Sequence, residues 1–374
     1  MNDKNDALAR VIDGSSWDVF CDALKKAGHD VILAASAPNN PLDRAEGFRY
    51  LARLTRAALD ANFEAADTQA PVFRRPVHET IKIGMDNPDN IYLAANVNGN
   101  YTYRIRGKRG SVHYLGFGAQ AGGYGKTGSL DTDGYLEATD MKIDADGSFE
   151  IIASVNEQSG NWLKMTPNTR LIQVRQTRLD HAREIPADVT IDRIDGPNQP
   201  RAFEPSRVDG ALQGAGLFVH GTAAVFAQWA EGFKRHTNEL PRFNPDVALR
   251  AGGDPHIAYY HSYFKIADDE ALVIELMPPK CQLWNFQLAN YWLESLDYRF
   301  FPVHLNSHTA HYRKDGSVHI VVAKTNPGPT YVKEGNWMDT CGRNEGTMCV
   351  RWIRAESYPQ PQTKLVKLAE LRDE

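Results

Sequence analysis

Apolar positions recur along this chain with two different periods, and the period changes near His78. Before that point the spacing is helical. Ser16 precedes Trp17, Val19, Phe20 and Leu24, which predicts an amphipathic helix capped by the Ser16 hydroxyl. Pro38-Asn39-Asn40-Pro41 reads as a loop, and Phe48, Leu51, Leu54, Ala58 and Leu59 predict a second helix from Asp43. From His78 apolar and polar residues alternate, as in Tyr101, Tyr103, Ile105 and then Val112, Tyr114, Gly116. Alternation predicts short strands with one buried face, continuing to about Gln176. Asp146-Gly147 and Asp315-Gly316 punctuate them, because Gly accepts the positive φ of a hairpin turn. Residues 183–205 are rich in Pro and Asp and read as a connector. Residues 210–239 return to helical spacing through Leu217, Ala224, Phe226, Trp229 and Phe233. Strands resume at Ile257 and run to Trp352, and the tail from Pro359 reads as a short exposed extension.

The strand-rich parts match one another in order. Pro88, Asn100-Tyr101, Asp146-Gly147-Ser148, Gly160-Asn161-Trp162 and Arg175 are followed by Pro278, Asn290-Tyr291, Asp315-Gly316-Ser317, Gly335-Asn336-Trp337 and Arg351. Alternating apolar runs follow both Asp-Gly-Ser turns, and the gaps between landmarks differ as surface loops permit. The pattern predicts a mainly β protein with helical additions: two diverged β-sandwich or barrel-like units in tandem. Residues 1–75 form an N-terminal helical segment, 76–205 the first β unit, 206–245 a connecting helical segment and 246–374 the second β unit.

Composition adds exclusions. The net charge is −5 and no basic run of five residues occurs, so nothing favours nucleic acid. The four cysteines are scattered and no Cys-x-x-Cys exists, which predicts free thiols in a reducing compartment. The polar start Met1-Asn2-Asp3-Lys4 lacks the features of a signal peptide, and no apolar run approaches the roughly 18 residues that span a bilayer. A cytoplasmic location with no membrane partner is the default expectation.

The second copy resembles a known family. Asn336-Trp337-Met338-Asp339-Thr340, Gly342-x-x-Glu345-Gly346-Thr347-Met348 and Arg351-Trp352 are similar to the C-terminal signature of the bacterial domain of unknown function 1214. Trp284-Asn285-Phe286-Gln287-Leu288, Asn290-Tyr291-Trp292 and Asp315-Gly316-Ser317 ahead of Val321-Val322-Ala323 extend the likeness over most of residues 80–370. The resemblance implies a two-part β-rich fold and no assigned activity. Relatives often carry a further domain of unknown function, number 1254, which is not evident here. Many relatives have Gly-His before the Glu-Gly, where this chain has Gly342-Arg343-Asn344, so no catalytic role is carried over at that position.

Several residue groups could carry chemistry. Asp339 and Glu345 could act as general acid and base if burial raised one pKa, with His308 as an alternative base. The plainer reading is that Asp339 caps a turn and Glu345 pairs with Arg351. His304 and His308 share a face of an extended strand, and with Asp297 or Asp339 they could hold a divalent metal, the one cofactor the sequence leaves open. Asn285 and Gln287 alternate with Trp284 and Phe286, so amides and rings lie on opposite faces. With Trp292 and Trp337 as walls and Arg343 and Arg351 as anion binders, these residues would hold a hydroxylated small molecule. His256, Tyr259, Tyr260, His261 and Tyr263 form an aromatic cluster that could move protons or simply fill a core. Gly122-Gly123-Tyr124-Gly125-Lys126-Thr127 resembles a phosphate loop, but Gln120 stands where the first Gly is required, which leaves a flexible loop over a pocket. No nucleophile elbow, zinc-protease helix or dinucleotide fingerprint is present. The sequence therefore supports an acid–base enzyme of lyase, isomerase or hydrolase type without organic cofactor, acting on an aromatic, terpenoid or sugar-like substrate. A non-catalytic binding or assembly module, with a homo-oligomer as one form, is the alternative.

Overall fold

The computed structural model describes residues 2–328 and 335–371; Met1, residues 329–334 and the end of the tail at 372–374 lie outside the described residues. The chain forms two compact units, each discontinuous in sequence. One comprises Met1–Ile81, Asn90–Val225 and Arg250–Gly252, and the other Lys82–Asp89, Phe226–Leu249 and Gly253–Glu374.

The first unit begins with α1 (Asn2–Asp13), α2 (Ser15–Ala27) and α3 (Pro41–Leu59). The Asn40 side chain caps α3 by accepting from the Asp43 N–H at 2.9 Å, and Pro41 takes the first helical position. The expected Ser16 cap is not made: Gly14 precedes α2 without a side-chain bond, and Ser16 Oγ donates instead to Asp209 at 2.7 Å. That bond ties α2 to α4 (Ser206–Phe233). Trp17 and Val19 face solvent, and Phe20 is the buried contact.

Eight strands follow: β1 (Asn90–Asn96), β2 (Tyr103–Lys108), β3 (Tyr114–Gly123), β4 (Ser129–Glu137), β5 (Ser148–Ser154), β6 (Trp162–Lys164), β7 (Thr169–Thr177) and β8 (Asp188–Arg193). They make two sheets, β1-β7-β3-β4 and β6-β5-β2-β8. One apolar cluster joins the inner faces, with Phe117, Ile172 and Val174 from one sheet and Ile105, Ile151 and Ile191 from the other. This is a sandwich core built from alternate residues of each strand.

The second unit repeats the plan with α5 (Pro245–Arg250, closing at its boundary), β9 (Ile257–Lys265), β10 (Glu270–Leu276), β11 (Leu283–Ala289), β12 (His304–Asn306), β13 (Val318–Ala323), β14 (Asn336–Asp339), β15 (Glu345–Ile353) and β16 (Gln362–Lys367). Its sheets run β12-β11-β15-β9 and β14-β13-β10-β16, the same orders strand for strand. Its core includes Tyr260, Ile274, Trp284, Phe286, Ile320, Val350 and Trp352.

The repeat extends to individual hydrogen bonds. Asn161 donates to the carbonyls of Lys142 and Glu150 and accepts from the Lys142 N–H. Asn336 does the same with His311 and His319. Trp162 Nε1 donates to the Ser154 carbonyl, and Trp337 Nε1 to that of Ala323. Each Asn-Trp pair starts the strand that pairs in parallel with its neighbour, β6 on β5 and β14 on β13. Two of the sequence landmarks are not equivalent, however. Asn100-Tyr101 lie between β1 and β2, whereas Asn290-Tyr291 follow β11, and Pro88 and Pro278 are likewise displaced. The connector at 183–205 contains β8, and the tail contains β16, so both are strands rather than extensions.

By length and composition α4 could cross a membrane, with a mean hydropathy of 1.2 over its most apolar stretch. Its buried residues, Leu212, Ala215, Val219, Ala223, Phe226, Ala230 and Phe233, recur at the spacing of a helix packed along one side on protein. The glycine-rich turn between β3 and β4 is not a free flap. A Cβ on Gly125 would lie 2.1 Å from the Leu217 carbonyl of α4, so only Gly permits that approach.

Candidate functional site

Strand pairing sorts the residues of sheet β12-β11-β15-β9 into two faces. Trp284, Phe286, Val350 and Trp352 enter the core. The opposite face presents cross-strand rows: Tyr259, Arg351, Asn285 and Asn306 in one, and His261, Cys349, Gln287 and His304 in the next. Alternation along β11 thus separates the amides from the aromatic rings, as its sequence predicts.

This polar face is buried, so its groups must satisfy one another. Arg351 donates through Nη1 to Gln287 Oε1 at 2.5 Å and to Asn285 Oδ1 at 3.4 Å, and through Nη2 to the Met85 carbonyl. The segment Lys82–Asp89 supplies the remaining partners. Gln287 Nε2 donates to the Asp86 carbonyl at 2.8 Å. Asp86 accepts from the Ser295 N–H and hydroxyl at 2.9 and 2.7 Å. Lys82 Nζ donates to the Ser295 carbonyl at 2.6 Å and the Leu296 carbonyl at 3.0 Å.

Asp89 is the centre of the second half of the network. It is 0% exposed, and its two carboxylate oxygens accept from Asn306 Nδ2 at 2.8 Å and Asn285 Nδ2 at 3.1 Å. The Asp89 carboxylate also lies 3.4 Å from His304 Nε2, and the His304 side chain retains 17% exposure. Tyr298 packs edge-on to this imidazole at 5.9 Å. A buried carboxylate behind a reachable imidazole fixes the orientation of the ring.

His261 is enclosed on the same face. Phe233 and Tyr259 stack on it at 5.3 and 5.4 Å, and Phe243 and Trp229 meet it edge-on at 5.2 and 6.1 Å. Its Nδ1 is buried without a hydrogen-bond partner. Burial, with Arg351 adding repulsion, pushes its pKa down to about 3, so it is a neutral ring at ordinary pH. The neighbouring Cys349 thiol is held protonated by the same burial.

The other candidates lie elsewhere. Asp339 ends β14, and its Oδ1 accepts from the Cys341 N–H at 2.7 Å, capping a turn. Glu345 opens β15 and faces Lys265 at 3.5 Å, with its side chain 31% exposed. It does not pair with Arg351, because six residues of strand separate them by roughly 20 Å. Arg343 donates to the Thr340 and Cys341 carbonyls of its own loop. Trp337 packs with Ala271 and Val321 of its own sheet and with Leu368 in the turn after β16. Trp292 is fully buried against Tyr291 at 4.8 Å. His308 and His311 do not continue β12, because Asn306 Oδ1 accepts from the N–H groups of His308 and Thr309 and turns the chain. Asp297 is bound by Arg299 at 2.8 and 2.7 Å, which holds its carboxyl below the usual range. The residues that sequence pattern does not mark are Asp86, Asp89 and Asn306; the pattern gives no sign that Lys82–Asp89 belongs with a sheet two hundred residues away.

In the first unit the same rows are Tyr92, Arg175, Gly116, Glu137 and Ala94, Gln173, Gly118, Tyr135. Arg and Tyr recur at matching places, but two glycines stand where β11 has Asn285 and Gln287, and Tyr135 stands in place of His304. The first unit thus keeps an arginine and a buried carboxylate, Arg175 and Glu137, on the matching rung, but has no imidazole at the place of His304.

The fold and this site define a tandem β-sandwich protein with one specialised unit. The chain belongs to the family described as Protein of unknown function (DUF1214), whose model matches residues 271–357 and so spans Asn285, Gln287, His304 and Arg351. A crystal structure of an uncharacterised protein from Burkholderia cenocepacia is similar at 46% identity and a TM-score of 0.93, covering 97% of this chain and 99% of that one. The VPA0106 protein from Vibrio parahaemolyticus is a looser likeness at 12% identity and a TM-score of 0.48, covering 86% and 98%. No curated protein matches the chain.

Proposed function

We propose that this protein is a small-molecule enzyme in which His304, oriented by Asp89, is the general acid–base group. The observation that carries the reading is the pairing of a reachable imidazole with a wholly buried carboxylate at 3.4 Å. Asn285 and Asn306 fix that carboxylate, and Arg351 and Gln287 fix Asn285 and the strand behind it. Such a dyad removes or returns a proton at carbon or oxygen without an organic cofactor, which fits lyase, isomerase or hydrolase chemistry. The aromatic surroundings of His304 favour a hydroxylated, partly apolar substrate. The test is a turnover screen of hydroxylated aromatics, terpenoids and sugars with wild type and His304→Gln. Loss of turnover in the variant with ligand-induced stabilisation retained supports the proposal; equal turnover in both refutes it.

A binding or assembly module is the second reading. Phe300 and Phe301 favour it, because they are 74% and 45% exposed a few residues before His304. Ligand-induced stabilisation without turnover of any compound class would select it.

A further inference from the structure

We infer that Asp89 and His304 form a binding site for a divalent transition-metal ion of the zinc type. Asp89 Oδ1 and His304 Nε2 lie 3.4 Å apart, close enough for one cation to hold both. A carboxylate oxygen and an imidazole nitrogen on one tetrahedral zinc, each at about 2.0–2.2 Å from the ion, are themselves about 3.4 Å apart. An imidazole nitrogen with a carboxylate oxygen is a donor set that suits zinc and its first-row neighbours.

Both ligands are oriented by their surroundings. Asn306 Nδ2 donates to Asp89 Oδ1 at 2.8 Å and Asn285 Nδ2 to Asp89 Oδ2 at 3.1 Å, and Asn285 Nδ2 is steadied in turn by Asn87 Oδ1 at 2.6 Å. Hydrogen bonds of this kind aim a ligating carboxylate in metal sites. Oδ1 has a second lone pair, so it can keep the Asn306 bond and still ligate. His304 is set by its strand, opposite Gln287 on β11. The Tyr298 ring backs the imidazole edge-on, and Lys82 Nζ lies 4.7 Å from the centre of that ring. The part of the His304 side chain that stays exposed admits the ion, and water or an oxygen of a small molecule completes its shell. The inference goes beyond the acid–base reading. A metal ion takes the Nε2 lone pair and leaves the one ring proton on Nδ1, so the ring keeps no lone pair with which to accept a proton. Zinc thus competes with the proposed dyad.

Zinc chloride is the probe, titrated calorimetrically into the full chain at pH 7 after dialysis against a chelator. Wild type, His304→Gln, Asp89→Asn and His236→Gln are compared. His236 lies 3.6 Å from Glu239 with side chains 51% and 64% exposed, so it controls for adventitious binding at a surface pair. Wild type and His236→Gln are expected to bind one tight equivalent alike, and His304→Gln and Asp89→Asn to bind at least about tenfold more weakly. If the buried Asp89→Asn variant fails to fold, His304→Gln at its partly exposed position carries the comparison. No binding by wild type, equal binding by wild type and His304→Gln, or loss of the tight equivalent in His236→Gln would overturn the inference. The titration uses no substrate, so zinc binding that is lost in His304→Gln upholds the metal site even where turnover survives in that variant and the acid–base reading fails.

Discussion

Arg351 Nη1 donates to Gln287 Oε1 at 2.5 Å, and this bond joins β15 to β11 between two buried side chains. The guanidinium also bonds Asn285 and the Met85 carbonyl, so one side chain holds two strands and the segment Lys82–Asp89 in place. Arg351→Met would leave those acceptors buried and unpaired. It should destabilise the protein by on the order of 3 kcal/mol in urea unfolding. Arg351→Lys should recover only part of that loss, because a single ammonium cannot reproduce the planar fork.

His261 makes stability depend on pH. Its folded pKa is depressed to about 3 by burial, while the unfolded ring titrates near 6.5. Between those values the unfolded chain binds the extra proton, so stability is full above pH 6.5 and declines as pH falls toward 3. The slope contributed is about 1.4 kcal/mol per pH unit within that window. Replacing the ring with Phe keeps the stack with Phe233 and Tyr259 and removes the titration. His261→Phe should therefore flatten the urea midpoint between pH 6 and 4 relative to wild type; an unchanged profile would show that His261 is not the group responsible.

The paired asparagines of the repeat differ in setting, and so should their substitutions. Asn336 is 5% exposed, whereas Asn161 is partly open to solvent. Each makes the same set of backbone bonds. Water can replace the lost partners at Asn161 but not at Asn336. Asn336→Ala should cost about 2–3 kcal/mol and Asn161→Ala about 1 kcal/mol, read from chemical denaturation of the two variants side by side.

Much of the architecture was legible because it rests on local pattern. Alternation along β11 placed Asn285 and Gln287 opposite Trp284 and Phe286, and the Asp-Gly-Ser and Asn-Trp landmarks marked the same turn and the same strand start in both units. The two strands that pattern hides are β8 and β16, which occupy the same edge in the two sandwiches. Each is short and largely polar, and each becomes a strand only through its pairing with β2 or β10. The false landmarks, Asn100-Tyr101 and Asn290-Tyr291, agree in residue type but serve different loops. The site was half visible for a related reason. Arg351, Asn285 and Gln287 share a sheet face that spacing reveals, whereas Asp89 reaches them from a segment whose place is set by tertiary folding. The strand assumed for His304, His308 and His311 fails because Asn306 bonds the chain into a turn.

The proposed function assigns acid–base chemistry to His304 and Asp89 rather than to the loop carboxylates Asp339 and Glu345. The most direct measurement compares turnover by wild type, His304→Gln and the double variant Asp339→Asn, Glu345→Gln on one substrate identified by the turnover screen. His304→Gln is expected to lose activity by at least about a hundredfold, the scale of general acid–base catalysis, while the double variant stays close to wild type. Loss in the double variant with activity intact in His304→Gln would contradict it.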